Sequence, residues 1–254
     1  MERKQQNTAV APKIKICGIT TMKEADWLNA AGVDYAGFVF YEKSRRNISM
    51  MDAVMIKKSF YPSVRTVAVT VNPTVDQLRE IEIAGFDILQ VHKTLSLEVL
   101  RECKLPIWRA FNIADFSAVD GAQHAIDTSR AEMAGTNAKD DQPQTAAGES
   151  AAEQSEREQL EEQLIEAYVL DGVEFGSGKT FDWNSGSVEQ IKTLFGDKKL
   201  VLAGGLTPSN VAEGIALFAP DIVDVSSGVE RDYGSGKDEE KIKQFVRKVR
   251  EKYE

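Results

Sequence analysis

Residues 200–228 read LVLAGGLTPSNVAEGIALFAPDIVDVSSG, two short apolar runs that are each followed at once by small residues. The runs Leu200–Ala203 and Ile222–Ser226 lack strict alternation of polar and apolar residues, which is typical of parallel strands buried on both faces. An amphipathic segment, Asn210–Phe218, lies between them. This order of strand, helix and strand predicts a parallel sheet built from βαβ units.

The same alternation of strand and helix extends from this stretch towards both ends of the chain. Further strands are predicted at Lys13–Cys17, Tyr35–Phe40, Thr66–Val71, Ile88–His92, Ile107–Asn112 and Ala167–Asp171. Further helices are predicted at Met22–Ala31, Met50–Ser59, Val75–Ala84, Leu97–Cys103, Val188–Leu194 and Glu239–Tyr253. Eight strands that alternate with helices fit either a closed barrel or an open doubly wound sheet. The count of eight, and the glycine-rich turns after the last two strands, favour a single (β/α)8 TIM barrel over residues 1–254.

One segment interrupts the alternation between strand 5 and strand 6. Residues 116–163 are rich in Ala, Gln, Glu, Ser and Asp, and Leu160 is the only large apolar residue between Lys139 and Gln163. Such a segment buries too little apolar surface to offset the entropy lost on ordering. We therefore predict a flexible, low-complexity acidic insertion over residues 116–163. Its end, Ser155–Glu166, has the composition of a helix and would supply the fifth helix of the barrel.

Charge and composition argue against several classes of protein. The formal net charge is −9, and residues 139–163 contribute −6 of it through eight acidic and two basic residues. This balance argues against a nucleic-acid partner. We expect no membrane helix and a cytoplasmic location, because the N-terminus is polar and no apolar run approaches the roughly 18 residues of a membrane span. The two cysteines and two histidines show no metal-ligand spacing, so no metal is expected, and no protein partner is indicated.

The C-terminal ends of barrel strands meet in one mouth, however distant they are in sequence. The predicted strand ends bring a thiol, Cys17, and a carboxyl group, Asp171, to this mouth, where they could exchange protons with a bound substrate. A thiol with a pKa of about 8.5 is a weak base at pH 7, so Cys17 would need cationic neighbours or a helix terminus. Arg45 and Arg46 follow strand 2, and the planar fork of an inward-turned arginine suits a carboxylate.

Small residues follow each of the last two strands. They are Gly204, Gly205, Ser226, Ser227 and Gly228. Small side chains let backbone N–H groups approach an anion closely, and a nearby helix N-terminus adds a favourable potential. Two such loops, after strands 7 and 8, predict a phosphate site.

The residues named above belong to longer blocks that span nearly the whole chain apart from the insertion. In order, the blocks are Lys15-Ile16-Cys17-Gly18-Ile19-Thr20, Gly37-Phe38-Val39-Phe40-Tyr41 with Lys43-Ser44 and Arg46, Leu89-Gln90-Val91-His92, Leu170-Asp171, GSGKTFDW at 176–183, Ala203-Gly204-Gly205-Leu206 and VDVSSGVE at 223–230. Together these blocks resemble the phosphoribosylanthranilate isomerase family.

The resemblance implies a role for each matching residue. Cys17 matches the general base of the family, Asp171 its general acid, and Arg46 the arginine that contacts the anthranilate carboxylate. The phosphate site is matched by Gly204, Gly205, Ser226, Ser227 and Gly228, and the lining of the mouth by Gln90, His92 and Asp224. The implied reaction is an Amadori rearrangement of N-(5-phosphoribosyl)anthranilate to 1-(2-carboxyphenylamino)-1-deoxyribulose 5-phosphate in tryptophan biosynthesis. It uses one small phosphosugar anthranilate as substrate and requires no cofactor.

Three positions depart from the family's pattern. Lys93 and Phe175 stand where the family usually has glycine, and Glu42 stands where it usually has proline. We expect the first two to alter loop conformation near the substrate. The insertion is also unusual for the family.

Two other functions would share the phosphate loops. One is a different phosphate-binding barrel enzyme, of the sugar-phosphate isomerase or indoleglycerol-phosphate synthase type. The other is a barrel that binds a phosphate ligand without catalysis. The first does not require Cys17, Arg46 and Asp171 together, and the intact pair of acid and base argues against the second.

Overall fold

Eight parallel strands close into a barrel in the computed structural model of this chain, which describes residues 10–112, 149–172, 193, 195–251 and 253. The strands are β1 (Lys13–Cys17), β2 (Tyr35–Phe40), β3 (Arg65–Val71), β4 (Ile88–His92), β5 (Ile107–Asn112), β6 (Ile165–Asp171), β7 (Lys199–Leu202) and β8 (Ile222–Val225). Each strand pairs with the next in the chain, and β8 pairs with β1. The predicted closed barrel is confirmed, and the open sheet is excluded.

Helices on the outside of the barrel connect these strands. In the described residues they are α1 (Met22–Ala31), α2 (Met50–Lys57), α3 (Val75–Ile83), α4 (Leu97–Glu102), α5 (Ala151–Leu164), α6 (Val211–Phe218) and α7 (Glu239–Arg250). Hydroxyl side chains cap the first five, each accepting a hydrogen bond from the backbone N–H three residues further on: Thr21, Ser49, Thr74, Ser96 and Ser150. These bonds satisfy N–H groups that the first turn of a helix leaves without a partner. Within the described ranges, no helix is both long enough and apolar enough to cross a membrane.

The segment between β5 and β6 is described only in its C-terminal part. Residues 113–148 lie outside the described residues, as does nearly all of the predicted helix at 188–194. The predicted fifth helix is present as α5, but it begins at Ala151 rather than Ser155, where Ser150 and Glu153 form a capping box. Leu160 and Leu164 pack against the core, so the helical part of the segment has the apolar contacts that hold it to the barrel.

The interior of the barrel is filled at its base and open at its mouth. Tyr35 and Trp108 pack edge to face near the base, with ring centroids 4.9 Å apart. Smaller buried side chains, such as Val69 and Val169, lie nearer the C-terminal ends of the strands. Because successive residues of a strand point to opposite faces, every second residue points inwards, and this alternation brings Cys17 into the interior from β1.

Candidate active site

A cavity of about 370 Å³ opens at the C-terminal ends of the strands. All but one of the predicted site residues line it: Cys17, Arg46, Gln90, His92, Asp171, Gly204, Gly205, Asp224, Ser226 and Ser227. The remaining one, Gly228, packs behind this lining, where a Cβ atom would lie 1.9 Å from the Leu206 carbonyl oxygen. The structure therefore brings together residues from both ends of the chain, as the barrel prediction requires.

Cys17 owes its position to a glycine on the neighbouring strand. A Cβ atom at Gly37 would lie 2.9 Å from Cys17 Sγ and 3.2 Å from Lys15 Cε. Lys15 precedes Cys17 by two residues, so both side chains point into the barrel from β1. The missing side chain at Gly37 thus leaves room for a thiol and an ammonium group next to each other.

Several charges act on the Cys17 thiol. Burial raises its pKa above the ordinary value, and the negative charge of Asp224 acts in the same direction. Lys15, Lys237 and Arg46 oppose this rise, since positive charges favour the thiolate. The cationic neighbours expected from the sequence are present, but burial affects the pKa of Cys17 more than they do. The thiol is therefore the resting form near neutral pH.

Lys15 and Asp224 form a buried ion pair one layer below the thiol. Lys15 Nζ lies 2.5 Å from Asp224 Oδ2, and the two side chains are 0% and 7% exposed. Burial by itself would lower the Lys15 pKa, but Asp224 and Cys17 raise it above its ordinary value. Lys15 is therefore a permanent cation inside the barrel.

Two buried oxygen atoms in the cavity wall have no hydrogen-bond partner among the described residues. They are Asp224 Oδ1 and Gln90 Oε1. A buried acceptor without a partner costs about 1–3 kcal/mol, so such atoms are uncommon in a folded interior. Both atoms are acceptors that hydroxyl groups of a ligand could satisfy.

Asp171 ends β6 and reaches the same cavity. Burial raises the pKa of its carboxyl group to about 6, and the charge of Asp224 adds to this effect. The Gly172 N–H, which donates to Asp171 Oδ1 at 2.8 Å, acts in the opposite direction, as do Lys15 and Arg46. When the pKa of a carboxyl group is near 6, a fraction of the molecules carries that group protonated at neutral pH, which suits a general acid.

Gln90 and His92 lie side by side on β4. Gln90 Nε2 is 2.8 Å from His92 Nε2. Burial lowers the pKa of His92 to about 3, and the charges of Lys15 and Arg109 contribute to the decrease. The imidazole is therefore neutral at physiological pH and serves as a polar group of the wall, not as an acid.

Lys93, one of the departures from the family's pattern, follows His92 in a left-handed conformation with a φ of 59°. Glycine adopts this region freely, whereas a residue with a side chain pays about 1–2 kcal/mol. Arg109 donates one hydrogen bond to the Lys93 carbonyl and another, of 3.0 Å, to Val91 O. The lysine is therefore held in the backbone conformation that glycine favours. Phe175, the second departure, lies outside the described residues.

Arg46 lies across the turn that follows Cys17. A Cβ atom at Gly18, whose φ is 81°, would be 2.6 Å from Arg46 Cδ, so only glycine leaves room for the arginine stem. Glu230 accepts hydrogen bonds from Arg46 Nε at 2.6 Å and from Nη2 at 3.3 Å. Arg46 thus reaches the cavity with a fixed head group.

Each of the two small-residue loops is held against the end of another strand. Gly204 and Gly205 have φ values of 77° and 75°, and a Cβ atom at Gly204 would lie 2.1 Å from the Gly172 nitrogen. Ser226 donates its hydroxyl to the Cys17 carbonyl at 2.9 Å, which ties the loop after β8 to the end of β1. The glycines are therefore required by close packing as well as by any anion that binds there.

Sequence reasoning missed four charged residues that shape the site: Lys15, Arg109, Glu230 and Lys237. A signal was available for the first two, since each is a charged residue between apolar neighbours inside a strand. A charge in such a position is rarely buried unless it is paired. Glu230 and Lys237 lie in a loop, where charged residues are ordinary, so the sequence offers no comparable signal for them.

Known proteins of one family are similar to this chain over nearly its whole length. The family model described as N-(5'-phosphoribosyl)anthranilate (PRA) isomerase matches residues 14–133 and 141–248. An N-(5'-phosphoribosyl)anthranilate isomerase of Streptococcus gordonii is 33% identical over 240 residues, which cover 94% of this chain and 98% of the relative.

Solved structures agree with the sequence relatives. The crystal structure of phosphoribosyl anthranilate isomerase from Thermotoga maritima has a TM-score of 0.68 at 28% identity, over 94% of this chain and 99% of that one. A phosphoribosyl anthranilate isomerase crystallised with reduced 1-(o-carboxyphenylamino)-1-deoxyribulose 5-phosphate has a TM-score of 0.67 at 27% identity, with the same two coverages.

Proposed function

Because the chain belongs to the N-(5'-phosphoribosyl)anthranilate isomerase family, we propose that it rearranges N-(5-phosphoribosyl)anthranilate in tryptophan biosynthesis, with Cys17 as base and Asp171 as acid. One observation carries the assignment of roles. The thiol of Cys17 and the carboxyl group of Asp171 reach one cavity from β1 and β6, so a substrate between them can meet both. A positioned acid and a positioned base are what a proton-transfer reaction of this kind needs.

The first step uses the proton of Asp171. The carboxylic acid gives its proton to the ribose ring oxygen, the bond from that oxygen to C1 breaks, and the nitrogen lone pair forms a protonated Schiff base. Burial supports this role, because the pKa of Asp171 is raised to about 6. An unperturbed aspartic acid, with a pKa of about 3.9, would hold far fewer protons at pH 7.

The second step uses the thiolate of Cys17, which forms when the resting thiol releases its proton to solvent. The thiolate removes the proton from C2, and the electron pair of that C–H bond neutralises the Schiff base and gives an enolamine. The enolamine then becomes the aminoketone when C1 gains a proton and the C2 hydroxyl loses one. Lys15, Lys237 and Arg46 support the role because all three favour the thiolate.

The remaining residues of the cavity bind the substrate in this proposal. Arg46 contacts the anthranilate carboxylate, and the loops after β7 and β8 hold the phosphate through Gly204, Gly205, Ser226, Ser227 and Gly228. Gln90 and Asp224 accept hydrogen bonds from sugar hydroxyl groups through the oxygens that lack a protein partner. We predict no metal or redox cofactor, because each step moves only protons and electron pairs.

The proposal is tested with the purified full-length chain and N-(5-phosphoribosyl)anthranilate generated in the cuvette. Loss of the substrate's fluorescence on addition of the protein is the expected result. The matched controls are a ribulose phosphate that lacks the anthranilate group and the product of the proposed reaction, which an indoleglycerol-phosphate synthase would convert to an indole. Turnover of a control substrate without turnover of N-(5-phosphoribosyl)anthranilate would favour a different phosphate-binding barrel enzyme. Binding of N-(5-phosphoribosyl)anthranilate without any turnover would favour the non-catalytic barrel.

A further inference from the structure

The loop after β8 contains a fully buried lysine that takes part in no proton transfer of the proposed reaction. Lys237 is 0% exposed, and its Nζ lies 3.1 Å from the Ser226 carbonyl oxygen, 3.2 Å from Ser226 Oγ and 3.1 Å from Glu230 Oε1. An ammonium group has three protons, so these acceptors use all of them. Burial lowers the pKa of Lys237, and the charge of Glu230 opposes this decrease. The lysine connects the phosphate loop to Glu230 through these hydrogen bonds.

Lys237 is fixed from its backbone side as well. Its N–H donates to Glu24 Oε1 at 2.7 Å, and Glu24 is buried and caps α1. The preceding Gly236 has a φ of 90°, and a Cβ atom there would lie 2.8 Å from Glu24 Oε1. The loop is therefore held against the barrel at the lysine, which leaves the lysine little freedom to move.

Glu230, which Lys237 holds in place, in turn holds the side chain of Arg46. Both side chains are only 12% exposed, and the carboxylate meets the guanidinium through Nε and Nη2. Burial alone would raise the pKa of Glu230, but Arg46 and Lys237 lower it to about 2. Glu230 is therefore ionised at neutral pH.

Glu230 occupies only one edge of the Arg46 guanidinium. Glu230 takes the edge formed by Nε and Nη2, Nη1 has no hydrogen-bond partner among the described residues, and Arg46 lines the cavity. Arg45, which is mainly exposed, also pairs with Glu230. Since the two arginines outweigh the one carboxylate that they share, the local charge stays positive, as an incoming carboxylate requires.

We propose that Glu230, backed by Lys237, is a positioning residue that fixes Arg46 for the substrate carboxylate and so sets the preference for an anthranilate over an unsubstituted aniline. The inference rests on the proposed role of Arg46. Holding a flexible arginine in its binding conformation before the substrate arrives removes an ordering cost that binding would otherwise pay. Glu230 therefore acts on the substrate only through Arg46.

The test compares two ligands that differ in one carboxylate. The first is reduced 1-(o-carboxyphenylamino)-1-deoxyribulose 5-phosphate, and the second is its phenylamino counterpart without the carboxylate. Calorimetry on the full chain should show that Glu230→Gln weakens binding of the first about tenfold and of the second less than about twofold. Equal weakening of both ligands, or no weakening of either, would overturn the proposal.

Two further variants serve as controls for this comparison of ligands. Glu156→Gln breaks a bidentate pair with Arg101 on the outer surface and should leave both affinities unchanged. Arg46→Gln should itself remove the preference for the first ligand. If Arg46→Gln keeps the preference, the proposed role of Arg46 is wrong. If only Glu230→Gln keeps it, the role of Arg46 stands and positioning by Glu230 is wrong.

A conservative variant covers the case in which Glu230→Gln does not fold. Glu230→Asp keeps the negative charge, but its shorter side chain cannot meet both guanidinium nitrogens while it stays bonded to Lys237. For Glu230→Asp we expect a melting temperature close to that of the wild type and a reduced preference for the carboxylated ligand. An unchanged preference would contradict positioning by Glu230.

Discussion

Lys15 of β1 and Asp224 of β8 form an ion pair across the seam that closes the barrel. The two residues are partners in the parallel register of these strands, and Lys15 Nζ lies 2.5 Å from Asp224 Oδ2. Cys17 lies two residues after Lys15 on the same inward face. The seam therefore joins the first and last strands and also supplies a charge next to the proposed base.

Replacing Lys15 should destabilise the fold severely. Lys15→Met leaves the buried Asp224 carboxylate without its cation, and we expect a loss of about 3–5 kcal/mol in the free energy of unfolding, measured with urea. The double variant Lys15→Met/Asp224→Asn removes both charges and should recover most of this loss. Equal destabilisation in the single and double variants would mean that the ion pair is not the cause.

Removing the charge of Asp224 should make Cys17 more acidic. Asp224 raises the pKa of the Cys17 thiol, so Asp224→Asn is expected to shift the pH profile of Cys17 alkylation by iodoacetamide to lower pH. Cys103 is an internal reference, because burial raises its pKa to about 11 and it lies on the helix side of the barrel. Peptide mapping separates the two thiols. A shift of Cys17 to higher pH would contradict the described electrostatics.

Asp171 should make the stability of the protein depend on pH. Its pKa rises from 3.8 to about 6 on folding, so the folded state holds the proton more tightly and stability decreases as the pH rises from about 4 to about 6. A pKa difference of this size corresponds to roughly 3 kcal/mol at most. Relative to the wild type, Asp171→Asn should therefore gain stability between pH 4 and pH 7 in urea unfolding. A constant difference over this range would show that the carboxyl group is not perturbed.

Gly37→Ala should impair turnover more than binding. The added methyl group would lie 2.9 Å from Cys17 Sγ and must displace the thiol or Lys15. A displacement of about 1 Å can cost roughly 10²-fold in rate, so we expect kcat to fall by that order while KM changes little. The melting temperature serves as the control for folding. An unchanged kcat would mean that the position of the thiol is not limiting.

The sequence predicts the strands and helices of this protein better than the ion pairs inside the barrel. Strand and helix bounds follow from apolar runs and capping residues, and most predicted bounds agree with the structure within two residues. The buried ion pair could not be placed in this way, because Lys15 and Asp224 are 209 residues apart and meet only when the barrel closes. The same reason applies to Glu230 and Arg46, which are 184 residues apart.

The catalytic roles of Cys17 and Asp171 are tested by the turnover of Cys17→Ala on N-(5-phosphoribosyl)anthranilate, measured as loss of substrate fluorescence. Affinity for the reduced product analogue is determined in parallel. Asp171→Asn is the matched second variant. We expect kcat to fall by about 10²–10⁴-fold or more in each variant while the analogue binds nearly as in the wild type. A kcat within a fewfold of the wild type in either variant would contradict the roles of Cys17 and Asp171.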